Sequence, residues 1–422
     1  MRRSLLVLVS LGILASALAF GIAETDRRHV EDELRAARAL LATPLRTAPE
    51  LHDLPAAKAL ARLEALRREA PGAVPEPLYA EASALVELQR GDLLRAEGHL
   101  TEARLRDGWN VRRRVIAGAL ARASGRGREA QRHAEAALAR SPGAPRALLL
   151  AGDLALDRGD GLMATPYLER LEERFPIAPV LNRLGLAAEI ERAMADAEDA
   201  FERATRLDGR AHAAWLNLGR VRRARSDLPG ARAAFEAAKR LQPGHPDAPL
   251  GLGLVALGQG DFDEARAQLA RARELGPERP EPQVGLGDLA AAEGALEDAE
   301  AHYVAALDLR ADALSWLKLG NVRLRRGHRS GAADAFRAAI ARAPGLGAAH
   351  NGLGAVLLQS GDETGAARAL EQATTLAPDD AAPWLNLALL AARRGDTDGS
   401  ATAWREALRR DPSSEVARAG LA

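Results

Sequence analysis

The side chains that most often carry chemistry are present in this chain but are not grouped for it. Nine histidines, His29, His52, His99, His133, His212, His245, His302, His328 and His350, are scattered along it. None forms the H-E-x-x-H pair that sets two imidazoles on one helix face for zinc, so no metal site is expected. There is no cysteine. That removes disulfides, thiolate ligands and thiol nucleophiles, and leaves both reducing and oxidising compartments open. Acidic pairs such as Glu172 with Glu173, and Asp379 with Asp380, are adjacent in sequence. Adjacent residues do not face each other across a cleft, so these suit a solvated surface or a helix start.

Two glycine-rich stretches, GLGLVALG from Gly251 and GLGDLAAAEG from Gly285, have spacings that resemble a nucleotide loop. No strand precedes them and neither ends in Gly-Lys-Ser/Thr, so they are not read as phosphate cradles. No G-x-S-x-G stretch offers a serine nucleophile. The sequence therefore nominates no catalytic residue and no cofactor, and a non-enzymatic role is expected.

Charge points the same way. The 58 basic and 58 acidic side chains cancel, so nothing draws the whole chain to a polyanion and nucleic acid is not expected as a partner. The basic stretches NVRRR, Asn110 to Arg114, and RVRRAR, Arg220 to Arg225, read as solvated helix surface able to hold a partner's carboxylates. Hydrophobic residues make up 47% and aromatics 3% of the 422 residues. With alanine, leucine, arginine and glutamate dominant, the composition is that of helices. The length allows one long domain or two to three compact ones.

Residues 1–23, MRRSLLVLVSLGILASALAFGIA, stand apart. An uncharged run from Ser4 to Ala23 follows Arg2 and Arg3. At about 1.5 Å per residue it gives roughly 30 Å of helix, enough to cross a bilayer. The two arginines hold its start in the cytoplasm and send the following chain outward. Ala17 and Ala19 also bracket Leu18 in the A-x-A arrangement of a cleavable secretion signal. Membrane attachment through residues 4–23 and cleavage are both open at this point. Either places the remainder on the periplasmic side of a bacterial-type cell envelope.

The rest is organised by a repeat. Gly118, Gly152, Gly185, Gly219, Gly253, Gly287, Gly320 and Gly354 recur every 33 or 34 residues, with Ala84 and Ala388 one step beyond at each end. Seven residues after this reference lie turn glycines such as Gly91, Gly260 and Gly361. Twelve after it come alanines, Ala231 among them, and sixteen after it large apolar residues including Phe201, Phe235, Phe336 and Trp404. Four before it stand Trp215, Trp316 and Trp384, with His350 at the same phase. Prolines such as Pro243 and Pro344 close the unit. Each unit reads as helix, glycine turn, helix, proline turn. The small positions let two antiparallel backbones approach, and the large ones fill the space that remains.

One such hairpin has nothing to bury its other face against, so the units must stack. Period and residue sizes together resemble the tetratricopeptide-repeat family. The fold class expected is all-α, a superhelical solenoid of stacked antiparallel helix pairs. Ten units are laid out over 77–414: 77–110, 111–144, 145–177, 178–211, 212–245, 246–279, 280–312, 313–346, 347–380 and 381–414. Arg192 and Ser226 replace the turn glycine in two of them, and Gly108 and Gly209 replace the closing proline. Residues 24–76 are expected to form a helical cap or degenerate repeat, and 415–422 a tail.

The resemblance, rather than the period, implies that the first helices line a surface that receives a segment of another protein. Mapped onto this chain, it nominates Leu216, Leu250, Val284, Leu317, Asn351 and Leu385 three residues before the reference. Asp153, Arg220, Leu254, Asp288, Asn321 and Leu389 follow it by one, and Arg223, Leu257, Leu324 and Leu358 by four. Some family members grip a terminal carboxylate with an ordered basic set. Here Asn217, Lys318, Asn321 and Asn386 do not complete one. The expected partner is an apolar or amphipathic protein segment held by an envelope scaffold. The alternative is an accessory subunit of a complex for envelope polysaccharide synthesis, export or assembly.

Overall fold

The computed structural model describes residues 29, 31–38, 55–70 and 72–421. The apolar run at 4–23 lies outside the described residues. Among those described, the chain is helix and turn with no strand, and no helix is long and apolar enough to cross a membrane.

The chain divides into two compact units, Met1–Arg225 and Ser226–Ala422. In the first, helix Pro55–Glu69 precedes four hairpins. Their helices are Glu76–Arg90 with Leu93–Asp107, Val111–Ala123 with Gly127–Arg140, Pro145–Asp157 with Gly161–Glu172, and Ala178–Ile190 with Met194–Leu207. Helix His212–Ala224 completes this unit. The second begins with helix Leu228–Leu241 and continues through five hairpins to helix Glu415–Leu421. These pair Asp247–Gln259 with Phe262–Leu275, Pro280–Glu293 with Leu296–Leu309, Ala313–Arg325 with Arg329–Arg342, Gly347–Ser360 with Glu363–Leu376, and Ala382–Arg393 with Thr397–Arg410.

A Gly-Asp dipeptide makes several of the tight turns. Gly91, Gly260 and Gly361 end first helices at φ of 82°, 76° and 85°, a left-handed conformation that costs glycine nothing. The aspartate that follows each, Asp92, Asp261 or Asp362, accepts a hydrogen bond from the backbone N–H three residues on and so caps the second helix. Arg192 and Ser226 take the same left-handed turn without glycine, at φ 60° and 65°. At Arg192, packing of helix Ala178–Ile190 against Met194–Leu207 overrides a local penalty of about 1–2 kcal/mol.

Large side chains pack onto the small reference positions. In the first unit, a Cβ on Gly185 would come within 2.5 Å of the Phe201 ring, and one on Gly152 within 2.8 Å of Leu168. Gly118 likewise faces Leu150. In the second unit Phe235 fills the space beside Gly251, Leu269 lies between Gly253 and Gly285, Tyr303 covers Gly287 and Leu370 covers Gly354. Phe336 meets Gly320 of its own hairpin and Gly352 of the next. One ring thus closes a hairpin and seats its neighbour. Gly219 and Ala231 are buried at their own positions.

The tryptophans four residues before the reference are half-buried, so they fill less of the core than their size suggests. Trp215 donates its indole N–H to the Gly209 carbonyl at 3.0 Å. Trp316 and Trp384 lie under the guanidinium groups of Arg342 and Arg410, at 5.3 and 4.5 Å. His350, at the same phase, donates from Nε2 to the Pro344 carbonyl.

At the N-terminal end of the first unit, Ala59, Leu63 and Leu66 of helix Pro55–Glu69 are buried in one cluster with Leu78, Ala82 and Leu85. At the other end of the chain, the expected tail contains a helix. Glu415–Leu421 packs Ala417 and Gly420 against Trp404, which is left 5% exposed.

Candidate interaction surfaces

Arginine and carboxylate side chains link neighbouring hairpins within the first unit. Asp153 accepts from Arg122 at 2.9 Å and from Arg183 at 2.5 Å. Arg220 forks onto both carboxylate oxygens of Glu189 at 2.8 and 2.9 Å, the planar two-point contact that suits guanidinium. Asn217 donates to Asn182 at 2.9 Å. Asp153 and Arg220, nominated for a partner, are therefore satisfied within the chain. Leu216 and Arg223 are half-buried.

The two basic stretches read as solvated surface are more tightly held than expected. Arg222 bonds to Glu198 and Glu202, and Arg225 to Glu198. Arg113 is 1% exposed. It donates to the carbonyls of Asp107 and Gly108 at 2.8 and 2.6 Å and to the Asp107 carboxylate at 2.7 Å. Its Nε is also 2.7 Å from Glu81, close enough for an ion pair but off the line of a hydrogen bond. Glu81, equally buried, accepts from Arg112 at 2.6 Å and Asn110 at 3.0 Å. The physical reason is local: burying a guanidinium is tolerable where carboxylates and carbonyls replace its water.

In the second unit the nominated positions divide by chemistry. Asp288 accepts from Lys318 at 2.7 Å and from the Tyr303 hydroxyl at 2.6 Å. Asn351 accepts from Asn386 at 2.8 Å, while Asn321 is exposed. Leu250, Leu254, Leu257, Val284, Leu317, Leu324 and Leu385 are half-buried, and Leu389 is 46% exposed. Leu250 and Leu257 rest on the cluster of Leu269 and Leu286, and Leu317 and Leu324 on that of Phe336 and Val356. Leu358 departs from the expectation. It is buried with Ala366, Leu370 and Leu390 because the next hairpin covers it.

Burial, reinforced by the hydrogen bond to Asp288, raises the Tyr303 pKa well above the ordinary tyrosine value. The unfolded chain releases this proton near pH 10 while the folded chain keeps it, so the contribution of Tyr303 to stability falls as pH rises above about 10. Thermal melts of Tyr303→Phe are expected to show a shallower alkaline decline than the native chain. They should also show a loss of about 1 kcal/mol at neutral pH. An unchanged alkaline slope would contradict the assignment.

Among the described residues, no three histidine, aspartate or glutamate side chains are grouped to hold a metal ion. Sequence reasoning missed the capping aspartates and the Glu81–Arg113 pair. The first had a readable signal, since Asp follows the turn glycine at 92, 160, 261, 362 and 396. The second had none, because its partners are some thirty residues apart and carry no motif.

A family model described as tetratricopeptide repeat matches residues 117–179, 183–246, 250–313, 317–381 and 357–415. No curated protein matches the sequence. Among solved structures, that of the APC/C hetero-tetramer Cut9-Hcn1 is similar with a TM-score of 0.53 at 15% identity, over 87% of this chain and 86% of that one. Two others span 50% of this chain and 98% of their own. One is PilF of Pseudomonas aeruginosa, 18% identical with a TM-score of 0.45. The other is PilW, described as a widely conserved type IV pilus biogenesis factor, 17% identical with a TM-score of 0.46.

Strandless helix pairs joined through small-to-large contacts define a helical-repeat scaffold. The chain belongs to the tetratricopeptide-repeat family, whose arrays generally serve protein–protein interaction without catalysis.

Proposed function

We propose that this chain is a non-catalytic scaffold of the cell envelope that holds an apolar or amphipathic segment of a partner protein on the first helices of its second unit. The observation that supports this is the presence of half-buried leucines at equivalent places on two first helices, Leu250, Leu254 and Leu257 on Asp247–Gln259 and Leu317 and Leu324 on Ala313–Arg325, with Val284 and Asp288 on the helix between them in sequence. Leu250, Leu257, Leu317 and Leu324 rest on packed clusters, and all five leucines keep part of their surface toward solvent, the condition in which a bound apolar side chain removes further area from water. Asp288, on the helix between the two sets of leucines in sequence, and Asn321, Asn351 and Leu389 supply the other side chains that a bound chain meets.

The export segment at 4–23 carries the array to the periplasmic side, anchored or released by cleavage. Residues 24–76 cap a ten-unit array over 77–414. The test is crosslinking in intact cells, with the envelope fraction recovered and captured chains compared between the native protein, Leu254→Arg and Leu324→Arg. A charge set into the stripe is expected to reduce capture about ten-fold or more, because the buried cation finds no partner. Undiminished capture by both folded variants would reject this surface, and recovery in the cytoplasm with Met1 intact would reject the envelope.

A further inference from the structure

One face of the first unit differs in kind from the equivalent face of two hairpins in the second. In two hairpins of the second unit, an arginine near the end of the second helix stacks on a tryptophan of the first, as Arg342 does on Trp316 and Arg410 on Trp384. The corresponding residues of the hairpin Val111–Arg140 are Arg114 and Arg140. Two cations stand where an aromatic and a cation stand in those two hairpins. The indole comes instead from the preceding connection. Trp109 lies 4.6 Å from the Arg114 guanidinium, 5.7 Å from that of Arg104 and 5.1 Å from the His133 ring. Stacking orients these guanidinium groups without neutralising them.

The stretch of sequence that builds this stack is rich in positive charge, part of it met by Glu81, Glu97, Asp153 and Asp157 from other helices. From Arg104 to Arg146 there are eleven arginines and only three carboxylates, Asp107, Glu129 and Glu135, in a chain that is neutral as a whole. Arg106, Arg112, Arg113, Arg122 and Arg126 are ion-paired. Among the described residues, Arg104, Arg114, Arg128, Arg132 and Arg140 enter no ion pair. Burial, and then the charge of Arg112, lowers the Arg146 pKa to about 10.

Two hollows of about 390 and 400 Å³ flank the stack and share Asn110 and Arg140. The smaller is bounded by Trp109 and Arg114 over Ala136 and Ala139. The larger has an apolar floor of Val111, Val115, Ala144 and Pro145, with Arg112 and Arg146 at its edge.

We infer that the face built by Trp109, Arg114 and Arg140 binds an acidic segment of a protein partner, carboxylates on the arginines and an apolar side chain in the hollow over Val111, Val115 and Pro145. Oriented guanidinium planes match carboxylates in two-point contacts. The recessed apolar floor suits a side chain projecting from a peptide better than the plane of a bilayer. This surface shares no residue with the leucine stripe of the second unit, so the two proposals stand or fall separately.

The test is fluorescence anisotropy of the full-length chain in neutral detergent with a short labelled peptide alternating glutamate and leucine. Binding is expected to weaken with added salt and to fall about ten-fold or more in the Arg114→Gln, Arg140→Gln double variant, with helical circular dichroism unchanged. A peptide with glutamine in place of glutamate is expected to bind far more weakly, a comparison made on the native protein and independent of any variant's folding. Equal binding by that peptide, or by the double variant, would overturn the inference. Arginine-dependent binding of phosphatidylglycerol vesicles with no binding of the acidic peptide would overturn it in favour of lipid.

Discussion

Phe336→Ala is expected to lower stability by about 3–5 kcal/mol, the range for removing a fully buried aromatic ring from a core that cannot close over the gap. Phe336 is 0% exposed, and its ring lies where a Cβ on either Gly320 or Gly352 would have to be. The two glycines are on helices of successive hairpins, so truncation opens the inside of one hairpin and the joint to the next together. In a repeat array each unit is stabilised by its neighbours. The loss should therefore appear in hydrogen exchange over Ala313–Ser360 before it appears elsewhere, with urea denaturation giving its size. Gly352→Ala in the native background should cost about 1–3 kcal/mol by overpacking. Combined with Phe336→Leu, it should cost less than the sum of the two, because the smaller side chain makes room. Strict additivity would mean that ring and glycine do not share the joint.

Arg113→Met is expected to cost about 3 kcal/mol, through charge rather than volume. The substitution leaves Glu81, with 2% of its side chain exposed, as a buried carboxylate short of one cation, a change that typically costs 3–5 kcal/mol. Arg112 and Asn110 still bond to Glu81, which places the loss at the low end. The carbonyls of Asp107 and Gly108 also lose their donor. The double variant Glu81→Met, Arg113→Met should recover much of the loss, because two apolar side chains of similar length bury without a stranded charge. Denaturant melts of the two singles and the double form the cycle. A double variant as unstable as the sum of the singles would show that the pair is not coupled.

These two sites mark where the sequence is legible and where it is not. Gly320 and Phe336 lie on a period of about 34 residues, so a reader who knows that helices need small residues to approach each other finds their places without coordinates, whereas Gly352 shares its phase with Lys318 and Asn386 in the adjoining units and carries no such signal. Arg113 sits inside NVRRR, a stretch indistinguishable by composition from solvated helix. What buries it is Glu81, on a helix of the preceding hairpin, and charge pairing across hairpins follows no period. Leu358 shows a third case. It has the phase assigned to an open surface, yet the following hairpin covers it, because burial depends on how far the neighbour reaches and not on phase alone. Arg192 makes the same point for the backbone: its left-handed turn is imposed by the paired helices on either side.

Helix Glu415–Leu421 shuts Trp404 away from water, leaving it 5% exposed, while Val416 and Leu421 stay on its outer side with Glu415 and Arg418. The indole of the last hairpin is thereby a dry reporter: unseating seven residues of helix is enough to wet it, so its emission colour tracks whether that helix is docked.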